Sequence, residues 1–137
     1  RFLRRQSSGQ EHWVAVGDLD DFKAINDRYS HQAGDDVLRA VSAVIERCMQ
    51  GHGLAARYGG EEFALSFSSP AREDATARCE KIRREISELS FAAYPDLRVT
   101  ISIGINQAGI AAHHEKLLAD ADLRLYEAKH LGRDRVA

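Results

Sequence analysis

The chain has 137 residues, 44% of them hydrophobic and 29% charged, values that suit one soluble globular domain with one core. Its formal net charge is −2 without any run of like charges, which argues against general nucleic-acid binding. No apolar run approaches the length of a membrane span and no signal peptide is visible, so neither membrane contact by this domain nor secretion is expected.

The expected elements alternate between strands and helices. Residues 1–9 read as a helix end and a loop at Ser7-Ser8-Gly9. Trp13-Val14-Ala15-Val16 is an unbroken apolar stretch and places a buried strand over 12–18, with Trp13 in a packing role. Asp18 closes that strand, a position from which a carboxylate can hold a metal. Asp20 and Asp21 instead suit the start of a helix over about 20–29, where the dipole favours negative charge, and they read as caps. A helix over about 34–49 carries Val37, Leu38, Val41, Val44, Ile45 and Cys48 on one face.

Arg57-Tyr58-Gly59-Gly60-Glu61-Glu62-Phe63 is the most informative segment. Gly-Gly fits a two-residue hairpin turn, because only glycine enters the required positive-φ region cheaply. Strands over 54–58 and 61–67 then flank it, with Phe63, Leu65 and Phe67 on the buried face. Taken alone, the segment reads equally as a plain hairpin with solvated glutamates or as a tip where a carboxylate holds a hard cation and phosphate nears the backbone. Asp18 at the end of a buried strand tilts the choice to the cation.

Ser69-Pro70 reads as a helix start with a capping hydroxyl and proline in the first turn. That helix extends to about 89, with Ala75, Cys79, Ile82, Ile86 and Leu89 inward. Leu97, Val99, Ile101, Ile103 and Ile105 alternate with Arg98, Thr100, Ser102 and Gly104, the clearest strand in the chain. A last helix over about 115–131 ends at Gly132. Cys48 and Cys79 lack metal-ligand spacing and read as reduced core residues. His113 and His114 are adjacent loop residues that point apart and read as solvated. These elements imply a mixed sheet with helices packed on it, an α/β (α+β) fold.

Four blocks in order resemble the GGDEF domain, the catalytic domain of bacterial diguanylate cyclases. They are Asp18-Leu19-Asp20-Asp21-Phe22-Lys23 with Asn26-Asp27; His31 with Gly34-Asp35; the Gly59-Gly60-Glu61-Glu62-Phe63 segment; and Leu125-Tyr126-Glu127-Ala128-Lys129 with Gly132-Arg133. The resemblance implies a palm-like, mainly antiparallel sheet flanked by helices, similar to class III nucleotide cyclases. It also implies condensation of two GTP into cyclic di-GMP with release of two pyrophosphates. Asp18, Glu61 and the Leu19 carbonyl match its metal ligands, with Mg²⁺ or Mn²⁺ as the cofactor. Asn26 and Asp35 match its guanine readers. Phe22, Lys23, Lys129 and Arg133 match its phosphate contacts. Glu62 matches a group assisting deprotonation of the attacking 3′-hydroxyl, or a second-metal ligand. By position alone Lys129 and Arg133 would serve the last turn of a helix, where the dipole favours cations. His31 is kept as structural, supporting the turn after Tyr29.

Departures from the family pattern also carry information. Many members have an inhibitory product site, Arg-x-x-Asp, where this chain has Gln50-Gly51-His52-Gly53. Ser30 replaces the glycine usual before His31. The opening Asp-x-Leu-Thr-Gly-Leu-x-Asn-Arg segment is missing, since the chain starts at its tail with Arg1-Phe2. Residues 1–137 are therefore expected to be a GGDEF domain, a C-terminal fragment of a longer protein lacking the extreme N-terminal segment of the domain. The expected partners are GTP, a second copy of the domain and an N-terminal sensory domain, in a cytoplasmic location even if the parent is membrane-anchored. No heptad seam or large apolar patch looks able to hold a stable dimer. The competing readings are a GTP-holding regulatory module without turnover and another palm-type enzyme such as an adenylate cyclase, against which Asp35 argues.

Overall fold

The computed structural model describes residues 10–108 and 114–137. The segment read at 1–9, His113 and the side chain of His114 lie outside the described residues. The elements in order are β1 (Glu11–Leu19), α1 (Phe22–Arg28), α2 (His31–Met49), β2 (Gly53–Tyr58), β3 (Glu62–Ser69), α3 (Arg72–Ser87), β4 (Ile101–Ala108) and α4 (His114–His130).

The sheet runs in the order β2-β3-β1-β4, and every neighbouring pair is antiparallel. One parallel bridge joins Ile103 to Val136. There the C-terminal backbone lines the edge of β4, with Ile103 N donating to Arg135 O and Ala137 N to Ile103 O. The expected mixed, mainly antiparallel palm with flanking helices is what forms. None of the described helices is long and apolar enough to cross a membrane.

β1 lies in the centre and is covered on both sides, which is why its sequence is continuously apolar rather than alternating. Trp13, Ala15 and Leu19 join the main core with Phe63, Leu65, Phe67 and the inward residues of α1, α2 and α3. Val14 and Val16 face the opposite way, against Ala121 and Leu125 of α4. Gly104 permits that second layer, because a Cβ there would collide with Leu125 N and Ala121 O. Trp13 packs as expected, and its indole N–H donates to Ser69 O at 3.4 Å. Cys48 and Cys79 are free and buried.

Four boundaries differ from the sequence reading. Ser69 does not start a helix; it is the last residue of β3, opposite Glu11. α3 begins at Arg72 after Ala71, with no side-chain cap but with Glu73 and Asp74 in its first turn. The strand expected from Leu97 begins at Ile101, because β1 ends at Leu19 and residues 97–100 have no ladder partner, although Leu97 and Val99 stay in the core. The turn is one residue longer than expected: Tyr58 faces Glu62, so Gly59, Gly60 and Glu61 form the loop and Glu61 is not in the strand. Gly59 and Gly60 both hold positive φ, 57° and 40°.

The fourth is the start of α2, at His31 rather than 34. His31 is exposed there, and the support for the turn comes from Ser30, whose hydroxyl accepts from Ala33 N at 3.1 Å. Ser30 caps from φ 147°, ψ 166°, a region close to glycine-only that costs a side chain roughly 1–3 kcal/mol. Exchanging a serine cap for glycine loses only a few tenths of a kcal/mol, and the added unfolded-state freedom about 0.5–1. Ser30→Gly should therefore raise stability, by up to about 1 kcal/mol. Urea unfolding of both proteins measures this, and a lower midpoint for the variant would mean that the cap outweighs the strain.

Candidate functional site

The site gathers where β1 leaves the sheet. Asp18 lies opposite Glu62 of β3 on one side and Ser102 of β4 on the other. The three-residue loop folds over this end, and Leu19 N donates to Glu61 O at 3.3 Å. The hairpin glutamates and Asp18 are thus brought together. The Oδ1 of Asp18 is buried without a hydrogen-bond partner. Burial pushes its carboxyl up from 3.8 to about 6; Lys129 opposes the shift, while Glu61, Glu62 and Asp20 add to it.

A buried, unpaired carboxylate oxygen among other carboxylates calls for a cation. Among the described residues no three His, Cys, Asp or Glu side chains form a metal cage. Mg²⁺ needs no such cage, because it keeps several waters and binds through one or two carboxylates plus substrate phosphates. The oxygen-only donor set of Asp18, Glu61 and the Leu19 carbonyl fits such an ion and fits a softer metal poorly. In this structure the Leu19 carbonyl accepts from Lys129 Nζ at 3.3 Å, as the Asp18 carbonyl does at 3.2 Å.

Asp20 is not a helix cap. It is 5% exposed and accepts from Ser102 Oγ (2.7 Å) and Lys129 Nζ (2.7 Å) on Oδ1, and from Thr100 Oγ1 (2.6 Å) and Asp134 N (3.0 Å) on Oδ2. Burial works to raise its pKa, but the bonds from Lys129, Thr100 and Ser102 hold it below the usual carboxylate range. Asp21 occupies the N-cap position of α1 with left-handed backbone (φ 53°) and no side-chain cap. The residues missed by sequence are thus Asp20, Thr100 and Ser102. One signal was present: on the outward face of the alternating strand, Thr100, Ser102 and Gly104 are small, which leaves room for a covering helix.

The other expected contacts surround this centre at varying distance. Phe22 is buried at the start of α1. Lys23 projects into solvent and pairs with Asp27 at 3.1 Å, its side chain 90% exposed. Asn26 is half-buried, and Gly34 makes its place: a Cβ at 34 would land on Asn26 Oδ1. Asp35 is exposed and lines an open groove of about 330 Å³ with Leu38, Arg39, Ser42 and Arg57. α4 ends in a turn in which Arg133 N donates to Ala128 O and Gly132 N to Lys129 O, a Schellman closure. Arg133 follows with φ 66°, its Nε 3.7 Å from Asp21.

Residues 1–135 match the family model described as diguanylate cyclase, GGDEF domain. Diguanylate cyclase A of Treponema denticola is 41% identical over 125 residues, covering 90% of this chain and 34% of that protein. The chain spans about a third of the length of the curated relatives it matches. The GGDEF domain of DgcB from Caulobacter crescentus, solved in complex with c-di-GMP, superposes with a TM-score of 0.87 at 35% identity, covering 99% of this chain and 82% of that one. The active GGEEF domain of a diguanylate cyclase from Vibrio cholerae superposes with a TM-score of 0.86 at 28% identity, covering 99% and 87%.

The raised Asp18 pKa has a definite sign. The folded protein holds the Asp18 proton more tightly than the unfolded chain, so this group favours folding below about pH 4. That contribution is lost as pH rises through about 6. Without divalent metal, Asp18→Asn should be more stable than the parent chain at pH 7.5, by on the order of 1 kcal/mol once screening of a half-buried group is allowed for, and no more stable at pH 4. Mg²⁺ should stabilise the parent chain and leave the variant unmoved. Denaturant unfolding at both pH values, with and without Mg²⁺, reads all of this; an equal response to Mg²⁺ would remove Asp18 from the ligand set.

Proposed function

The chain belongs to the diguanylate cyclase GGDEF-domain family, and on that premise we propose that it condenses two GTP into cyclic di-GMP in the cytoplasm. The observation that carries the reading is the unpaired, buried Asp18 oxygen beside the Gly59-Gly60-Glu61 loop. In each half of the reaction a 3′-hydroxyl oxygen bonds to the α-phosphorus of the other nucleotide. The bond from that phosphorus to the bridging oxygen breaks, and pyrophosphate leaves with the electron pair. The hydroxyl proton passes to a base, for which Glu62 is the candidate in the chain.

Asp18, Glu61 and the Leu19 carbonyl would hold Mg²⁺ or Mn²⁺, which when bound neutralises charge on the triphosphate and the leaving pyrophosphate. Backbone N–H groups at Phe22 and Lys23 meet phosphate, with the Lys23, Lys129 and Arg133 side chains adding positive charge. Asn26 and Asp35 read guanine: the carboxylate accepts from the N1 and N2 donors, which adenine does not offer as a pair. One copy binds one nucleotide, so two copies must face each other to align each hydroxyl with the opposite phosphorus. A dimerising sensory domain N-terminal to this chain would supply that encounter.

A second reading is a GTP-holding regulatory module with weak turnover. It has one observation in its favour, the Lys129 ammonium on the Leu19 carbonyl that would ligate the metal. Feedback through an Arg-x-x-Asp product site is not part of either reading. Gln50 and Gly53 carry no such charges, and a Cβ at Gly53 would collide with Ser66 O and Phe67 Cα.

Incubation with GTP and Mg²⁺ should give cyclic di-GMP, with specific activity rising with protein concentration; GTP binding without product at any concentration would favour the regulatory module. Glu61→Gln should fold normally and lose turnover by at least about a hundredfold, since a neutral amide binds divalent metal poorly. Wild-type rates in that variant would remove Glu61 from the site. Asp35→Ala should narrow the preference for GTP over ATP by about ten- to a hundredfold, the size expected when a buried base donor loses its partner. Competition binding of the two nucleotides checks it, and an unchanged ratio would place guanine recognition elsewhere.

A further inference from the structure

We propose that Asp20 is the positioning residue of the phosphate-binding cations: through one buried carboxylate it sets the place of the Lys129 ammonium and of the turn that carries Arg133. The inference rests on the reading of Lys129 and Arg133 as triphosphate contacts and adds to it a residue that touches neither nucleotide nor metal.

The geometry is specific. Lys129 sits in the last turn of α4, and its long side chain has several rotamers open to it unless something holds the ammonium. Asp20 Oδ1 holds it at 2.7 Å, and the lysine side chain is only 19% exposed. The carbonyls of Asp18 and Leu19 accept from it at the longer distances of 3.2 and 3.3 Å. All of these acceptors lie at or just beyond the end of β1, so the ammonium is fixed beside the Asp18 carboxylate, 3.8 Å from its Oδ2.

The second oxygen does the same for the turn. Asp20 Oδ2 accepts from Asp134 N at 3.0 Å, directly after Arg133, and both residues have left-handed backbone with φ 66° and 48°. A pair of consecutive non-glycine residues in that region is costly and persists only when held from outside. Asp134 is also held through its own carboxylate, which accepts from Arg83 at 2.7 Å. Arg133 is thereby directed at the N-cap of α1, 3.7 Å from Asp21. Thr100 and Ser102 complete the four acceptor positions of Asp20, which leaves it no capacity to ligate an ion or substrate and restricts it to a positioning role.

A merely structural carboxylate and a positioning one differ in what their loss does to ligands. Binding of GTP and of guanosine should be measured for the parent chain and for Asp20→Asn, together with thermal unfolding. Guanosine carries the base and no phosphate. We expect Asp20→Asn to weaken GTP by about tenfold, the loss of one well-made bond to a charged group, while guanosine binds as before. In the Lys129→Met background, Asp20→Asn should cost GTP binding less than tenfold, because the ammonium is already gone and only the turn that carries Arg133 is left for Asp20 to position. Removing both charges together also avoids a stranded buried cation, so the paired variant keeps the test open if Asp20→Asn alone does not fold. Equal losses for GTP and guanosine, or the full tenfold loss with Lys129 absent, would overturn the inference. A parent chain that binds neither ligand would instead defeat the reading of the site as a GTP site.

Discussion

The Asp20 carboxylate is the interaction on which the rest of the site depends. A carboxylate that is 5% exposed bears a desolvation cost of several kcal/mol unless its lone pairs are filled. Here each oxygen accepts two bonds, one from Ser102 of β4 and from Lys129 of α4, the other from Thr100 just before β4 and from the turn after α4. Losing any donor leaves part of a buried charge uncompensated, so the carboxylate couples the end of β1 to three other parts of the chain. Beside it, Asp18 is the contrast. It shares the ammonium only at 3.8 Å and keeps one buried oxygen unpaired. Two aspartates two residues apart thus divide the work: one is satisfied by protein, the other is left for something the protein does not supply.

Close approach makes this possible, and it is obtained by leaving atoms out. At Gly104 the absence of a Cβ lets α4 come down on the sheet, which brings Lys129 within reach of the end of β1. At Gly34 the same economy gives Asn26 its place between α1 and α2. The glycine pair at 59 and 60 acts differently, through positive φ, and turns the hairpin so that Glu61 stands over Leu19 rather than running on into β3.

The elements that sequence made legible are those with a local signal. The unbroken Trp13-Val14-Ala15-Val16 stretch identified a strand covered on both faces, and the alternation of Phe63, Leu65 and Phe67 gave the buried face of β3. That Asp18 and the Gly59-Gly60-Glu61-Glu62 hairpin lie together was legible only through the family resemblance, since strand end and hairpin are far apart along the chain. What stayed hidden depended on partners far away. Asp20 reads as a helix cap because the dipole at α1 is local and Thr100, Ser102 and Lys129 are not. Ser69-Pro70 reads as a helix start because its hydroxyl and ring suit one, while the pairing of Ser69 with Glu11 is a tertiary fact. Leu97 and Val99 keep their burial but not their strand, since a ladder needs a partner as well as a pattern.

The partners of Asp20 lie 80, 82, 109 and 114 residues further along the chain. Contacts of that separation are made only after long loops have closed, at an entropic cost that grows with the logarithm of loop length. During synthesis, β1, the hairpin and the first three helices leave the ribosome with Asp20 still facing water, and its charge resists burial until Lys129 has emerged. The strand end that bears Asp18 is consequently unfinished until the end of α4 has been made. The end of β1 is completed only when α4 and the turn after it return to a strand made more than a hundred residues earlier.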